Sequence, residues 1–228
     1  MIKMNKWIIS FIGIEMVLYI LFLWVTSGIV TSLLQYLSIM IVFLWVVVIP
    51  IKGTDQRFVQ VALFLTLIAD YFLVIQGSNK EVALIFFNFV QIIYALRLYY
   101  HNSIHRWWRL GIRLGLMVLS LVIAMNMVMS QFDLLLGLTM VYFVNMVVNM
   151  MEAIFTDQKN WLFGCGLLLF IGCDIVVGLW NSQGYIIISQ GSFFDWLIHI
   201  PINLAWVFYL PSQVFIALSV IRKKTTFK

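Results

Sequence analysis

The chain has 228 residues, 64% of them hydrophobic and 10% charged, against roughly 45–50% and about 25% in ordinary soluble domains. A mean hydropathy of +1.04 excludes a soluble globular domain, a disordered segment and a nucleic-acid-binding tail, since the last two need low hydrophobicity or blocks of like charge. The net charge of +5 comes from 14 basic and 9 acidic residues, and where the basic residues sit carries more information than their sum.

Apolar windows bounded by polar or turn-forming residues predict an all-α, polytopic integral membrane protein. Its eight transmembrane helices lie at 7–25, 34–51, 58–75, 82–99, 111–129, 134–154, 161–179 and 196–221, in one transmembrane domain covering 1–228. Apolar runs this long exceed barrel strands, and only helices or closed barrels satisfy the backbone in lipid. Lys3 and Lys6 precede the first run as in a signal peptide, but the run is long and has no small-x-small cleavage site, so it reads as a retained span. Cys165 and Cys173 are eight residues apart in one apolar run, about 12 Å along a helix, which is beyond disulfide reach.

Eight spans put both termini and loops 2–3, 4–5 and 6–7 on one side. That side then holds Lys3, Lys6, Lys52, Arg57, Arg97, Arg106, Arg109, Arg113, Lys159, Arg222, Lys223, Lys224 and Lys228, and Lys80 alone lies opposite. Thirteen basic residues against one make the first side cytoplasmic, with the cell's inner (plasma) membrane as the expected location. The third span of each half ends a comparable segment in Asp, at 65–70 and 169–174, which suggests a parallel 4+4 internal repeat of the kind transporter folds use.

Asp70 lies 12 residues into its span and Asp174 lies 13 into its own, so both fall about 18–20 Å from the cytoplasmic edge. An ionisable group at that depth costs at least about 2.5–3.5 kcal/mol and is a functional-site hypothesis by default. The competing reading is two protonated hydrogen bonders that fix helix packing. Asn88, Gln91, Tyr94, His199, Asn203 and Tyr209 reach the same layer by the same count and are the candidate substrate-binding residues. Gly164, Gly166, Gly172 and Gly178 permit close helix approach, while Pro201 and Pro211 bend the eighth span and free carbonyls.

Glu15 is a third intramembrane acid, expected to bond Gln35, Asn145 or Asn149. Arg97 and Glu152 are expected to snorkel to the interface. The stretch 99–109, rich in His, Arg, Trp and Tyr, reads as an aromatic belt with positive-inside charge rather than a nucleic-acid surface. His101 and His105 have i,i+4 spacing but no further ligands nearby, and the chain has no P-loop and no Gly-x-Ser-x-Gly elbow. No metal or cofactor is expected.

At the Asp segments the chain resembles the YhhN-like lysoplasmalogenase family of eight-span membrane proteins, as a divergent member. Residues 63–70 resemble the family's segment ending in Gly-Asp, 86–94 its following His-x-x-Tyr helix, 164–174 its Ser-Asp-ending segment and 209–213 its Tyr-x-x-x-Gln helix. Ala69 stands where the family usually has Gly, Cys173 where it has Ser and Gln91 where it has His. A Gln orients a substrate but does not titrate, so acid-base work falls to the two Asp.

The resemblance implies hydrolysis of the vinyl-ether bond of a lysoplasmalogen, with a lysophospholipid or other single-chain lipid as ligand. That reaction begins with protonation of the alkene carbon and passes through an oxocarbenium ion, so it requires a neutral carboxylic acid and a stabilising carboxylate. Asp70 and Asp174 supply such a pair. The segment 180–195 reads equally as a lid or as a membrane anchor. The alternative function is a non-enzymatic transporter or binding and scaffold protein whose Asp pair takes up protons or a cation. A continuous polar path from both faces favours transport, and a dead-end chain-shaped cavity favours the hydrolase.

Overall fold

The computed structural model describes residues 2–24, 28–51, 53–101, 106–128, 132–155, 160–182, 185, 188–200 and 202–221. Among them the regular elements are helices: α1 (Ile2–Trp24), α2 (Gly28–Val48), α3 (Thr54–Asp70), α4 (Lys80–His101), α5 (Arg106–Val128), α6 (Leu134–Phe155), α7 (Trp161–Ser182), α8 (Phe193–Ile198) and α9 (Leu204–Leu218). The seven from α1 to α7 are long and apolar enough to cross a membrane, which makes the chain an all-α polytopic membrane protein.

The eighth predicted span, 196–221, is divided. The short α8 is capped by Ser192, whose side chain accepts the Asp195 N–H, while the Asp195 carboxylate accepts the Gly191 N–H in return. Helix then stops at His199 and restarts as the 15-residue α9. Ile200 precedes Pro201, and a residue in that position is pushed away from helical backbone. Pro201 itself, like Lys52, the stretch 102–105, Lys159 and the basic tail 222–228, lies outside the described residues.

Consecutive helices pack as neighbours from α1 to α4 and again through α5, α6, α7 and α9, and the two series meet through α4 against α6 and α2 against α9. Exchanging α1, α2, α3 and α4 for α5, α6, α7 and α9 maps these neighbours onto themselves, apart from a marginal α1–α9 contact. α7 and α9 approach closely because Gly166 has no side chain: a Cβ there would lie 3.0 Å from the Ser212 carbonyl oxygen and 2.8 Å from Ile216 Cγ1. Gly164 against Ile154 and Gly172 against Phe208 serve the same purpose. Gly178 does not, because nothing lies within 4 Å of its added Cβ.

The polar side chains expected to snorkel are instead paired, Arg97 buried and Glu152 partly so. Arg97 is 1% exposed, with Nε and Nη2 donating to the two Asp55 carboxylate oxygens at 2.7 and 2.8 Å and Nη1 donating to Ser219 Oγ at 2.9 Å. Glu152 accepts from Arg109 at 2.6 and 3.2 Å and lies 3.3 Å from Arg113, which also donates to Asn145. A charge that cannot reach water in the bundle must be paired there. Glu15 is also buried, and among the described residues neither of its oxygens has a partner. Asn145 and Asn149 are engaged elsewhere, with Arg113 and Gln91.

Candidate functional site

Asp70 is the last α-helical residue of α3, and a π-helical turn, Tyr71–Ile75, follows it directly. The Gln76 N–H donates to the Tyr71 carbonyl at 2.9 Å, five residues back. Such turns widen a helix locally and recur at functional sites. The five residues contain neither Gly nor Pro, so their types do not announce the π turn.

Each membrane-depth Asp has a tyrosine. Tyr209 on α9 donates its hydroxyl to Asp70 Oδ2 at 2.7 Å, and Tyr142 on α6 donates to Asp174 Oδ2 at 2.6 Å. The Phe170 ring, one turn before Asp174 on α7, stands between the tyrosines, 5.2 Å from Tyr209 and 6.5 Å from Tyr142 by ring centroids. Phe87 of α4 closes the group, about 6 Å from both Tyr142 and Phe170. The buried Cys173 immediately precedes Asp174 on α7. Tyr142 is the residue that sequence reading missed. Its only signal is its place in α6, the ninth residue, as Tyr36 is the ninth of α2.

The two acids differ in access. Asp70 is 2% exposed and sealed among α3, α9 and the aromatic group. Asp174 lines a cavity of about 150 Å³ between α4, α6 and α7, walled by Leu84, Phe87, Tyr142, Phe143 and Val177, with Gly178 on the α7 side and Lys80 and Asn181 at its polar end. The open space beside Gly178 is therefore part of this cavity rather than a helix contact.

The remaining sequence-predicted residues are distributed differently. Asn88 spans α4 and α6, its Nδ2 donating to the Leu84 carbonyl at 2.9 Å and the Leu138 carbonyl at 3.2 Å. Gln91 is fully buried and accepts from Asn149 through both its backbone carbonyl and Oε1. Tyr94 is also fully buried, edge-on to Phe163. His199 and Asn203 stand apart: both are exposed, His199 within 2.8 Å of the Asp195 carbonyl and Asn203 at the start of α9. The depth count placed them beside the acids by assuming one continuous rod, and the helix instead breaks between α8 and α9. Of the eighth-span candidates, Tyr209 bonds one of the two membrane-depth acids, Asp70. Pro211 leaves the Val207 carbonyl without its helical donor, and Tyr19 of α1 approaches it at 3.4 Å.

In chemical terms the arrangement is a carboxyl group held by a phenol at the wall of a small, mostly apolar cavity, with a second carboxyl–phenol pair sealed behind an aromatic layer. No curated protein and no solved structure matches the chain. Residues 30–220, most of its length, match the model of the YhhN family, as the Asp segments and their spacing suggested. The chain belongs to the YhhN family.

Proposed function

We propose that the chain is an intramembrane lipid hydrolase that cleaves the vinyl-ether bond of a lysoplasmalogen, with Asp174 as its general acid. The observation that carries this reading is that Asp174, and not Asp70, lines the cavity. Family membership supports it, since hydrolase activity is associated with YhhN proteins.

Tyr142 occupies Oδ2 of Asp174, so Oδ1 is the oxygen available to carry a proton. The protonated Asp174 gives that proton to the alkene carbon remote from the ether oxygen. The alkene pair forms the new C–H bond, and an oxocarbenium ion develops at the neighbouring carbon beside the carboxylate just formed. Water adds to that carbon and returns a proton to Asp174. The resulting hemiacetal breaks its bond to the glycerol oxygen, which leaves as an alcohol, and a fatty aldehyde remains. A positioned acid contributes about 10²–10⁴-fold, and an oriented carboxylate beside the developing cation supplies electrostatic stabilisation. Asp70, with Tyr209, acts from behind the aromatic layer as a second carboxyl whose charge bears on the developing cation through the low-dielectric interior.

With the basic-rich side cytoplasmic, the cavity opens toward the outer leaflet, where a single-chain lipid presents its headgroup. The test is to incubate the purified full-length chain with lysoplasmalogen and measure the long-chain aldehyde. Release that disappears in Asp174→Asn supports the reading, and no aldehyde from the folded wild-type protein overturns it.

A further inference from the structure

Lys80 is the one basic residue that the positive-inside distribution leaves on the far side of the membrane. The chain reaches it through Gly77 and Asn79, both in left-handed backbone at φ +64° and +58°, and α4 starts at Lys80 itself. Its side chain lines the Asp174 cavity. There its Nζ donates to Asn181 Oδ1 at 2.7 Å. The Asn181 amide is oriented by its Nδ2, which donates to the Val177 carbonyl at 2.8 Å. Lys80 is thus held over the cavity by a neutral group, and among the described residues no carboxylate lies in ion-pair range of it. An ammonium has three donors, and Asn181 uses one.

The spacing is informative. Asn181 follows Asp174 by seven residues on α7, a rise of about 10 Å. In a glycerophospholipid the phosphorus lies about 7–8 Å from the chain-linkage carbon at the first glycerol position, by ordinary bond lengths. Adding about 3 Å of hydrogen-bond reach at one end lets a phosphate touch Lys80 while the linkage carbon touches Asp174. The cavity, near 150 Å³, is smaller than the usual 300–1,000 Å³ ligand pocket. It admits the glycerol end and the first chain carbons, which suits a lipid with one chain and no second acyl group at the glycerol.

We propose that Lys80 is the phosphate anchor of this cavity and that its occupant is a single-chain glycerophospholipid. The identity of the cleaved bond rests on the hydrolase reading above, whereas the anchoring role does not. A saturated 1-O-alkyl lysophospholipid separates the two, since it lacks the reactive double bond and can be bound but not cleaved. Binding is measured on the full-length protein in micelles by isothermal titration, beside 1-O-alkylglycerol, a diacyl phospholipid and inorganic phosphate.

The expected result is that the alkyl lysophospholipid binds most tightly, that Lys80→Ala weakens it about tenfold or more as a charge-assisted contact is lost, and that Lys80→Arg keeps most of the affinity. Alkylglycerol should bind wild type and Lys80→Ala alike. Equal affinity of wild type and Lys80→Ala for the alkyl lysophospholipid overturns the proposal, as does equal affinity of wild type for alkylglycerol. Diacyl phospholipid binding that is as tight and as dependent on Lys80 overturns the single-chain assignment, and tight binding of inorganic phosphate alone overturns the lipid one. Lys80-dependent binding without aldehyde release from lysoplasmalogen refutes the hydrolase and leaves the anchor standing. Aldehyde release with binding indifferent to Lys80 does the reverse.

Discussion

The Tyr142 hydroxyl donates to the Asp174 carboxylate at 2.6 Å across the α6–α7 interface, and the pair forms one wall of the cavity between α4, α6 and α7. Removing the carboxyl and removing its partner should therefore differ. Asp174→Asn deletes the acid and should lower aldehyde release by at least about 10²-fold. Tyr142→Phe keeps the acid but frees Oδ2, and should give a smaller loss, chiefly in kcat. Asp70→Asn should also abolish most activity. Full activity in either Asp→Asn variant, with expression and thermal unfolding like wild type, would refute the acid-pair mechanism.

Two glycines on α7 separate packing from access. Gly166→Val places carbon against the Ser212 carbonyl and Ile216, so overpacking should destabilise the chain by about 1–3 kcal/mol or more, visible as a lower Tm in micelles. Gly178→Ala meets open space and should not lower Tm, since Ala is the better helix former by about 0.5–1 kcal/mol. Gly178→Phe should also fold, yet fill the cavity and abolish lysophospholipid binding. A Gly178→Phe protein that binds as wild type does would show that the ligand lies elsewhere.

The Arg97–Asp55 pair predicts a stability effect with no catalytic counterpart. Asp55→Ala strands a guanidinium that is 1% exposed, and breaking such a pair costs about 3–5 kcal/mol. Because Asp55 is 16% exposed, the lower end of that range applies. Replacing both partners, as Arg97→Met with Asp55→Leu, should recover much of the loss. Arg97→Lys should not, since the two-pronged contact needs a guanidinium. Thermal unfolding of the four proteins in one detergent checks this, and a double variant no more stable than Asp55→Ala would refute it.

Asp133 and Tyr185 predict a pH dependence outside the helical core. Asp133 accepts the Leu136 N–H at 2.8 Å and the Tyr185 hydroxyl at 2.7 Å. The Leu136 N–H first, and then the Tyr185 hydroxyl, hold its carboxyl below the usual range, and the same bond raises the Tyr185 phenol. A depressed acid stabilises the folded chain above its unfolded titration range, and that contribution is lost as pH falls through the folded value. The raised phenol contributes below its unfolded range and loses its contribution as pH rises through the folded one. Asp133 is exposed and Tyr185 is half-buried at the surface, so the effect on stability is small. The phenolate absorbance difference between wild type and Tyr185→Phe should therefore titrate above the ordinary tyrosine range. In an Asp133→Asn background it should return toward that range, and an unchanged midpoint would show that the clasp is absent in solution.

Length, hydropathy and basic-residue placement determined by themselves that the chain is a helical membrane protein, and the Asp-ending segments determined its family. These features are local: a run of apolar residues must bury its backbone in a helix, and an acid within such a run is conspicuous at any position. Asn203 and His199 show where that locality ends, because counting along an assumed straight rod put them in the Asp layer and the rod is broken between α8 and α9. Only tertiary structure decided the partners. Tyr142 is 32 residues from Asp174 and Tyr209 is 139 from Asp70, and no periodicity reports which side chains meet when α6, α7 and α9 pack. Access was decided in the same way, since the two acids share a residue type and a sequence context. The aromatic layer and the close α7–α9 approach seal Asp70, while the open face at Gly178 leaves Asp174 a cavity with a lysine at its mouth.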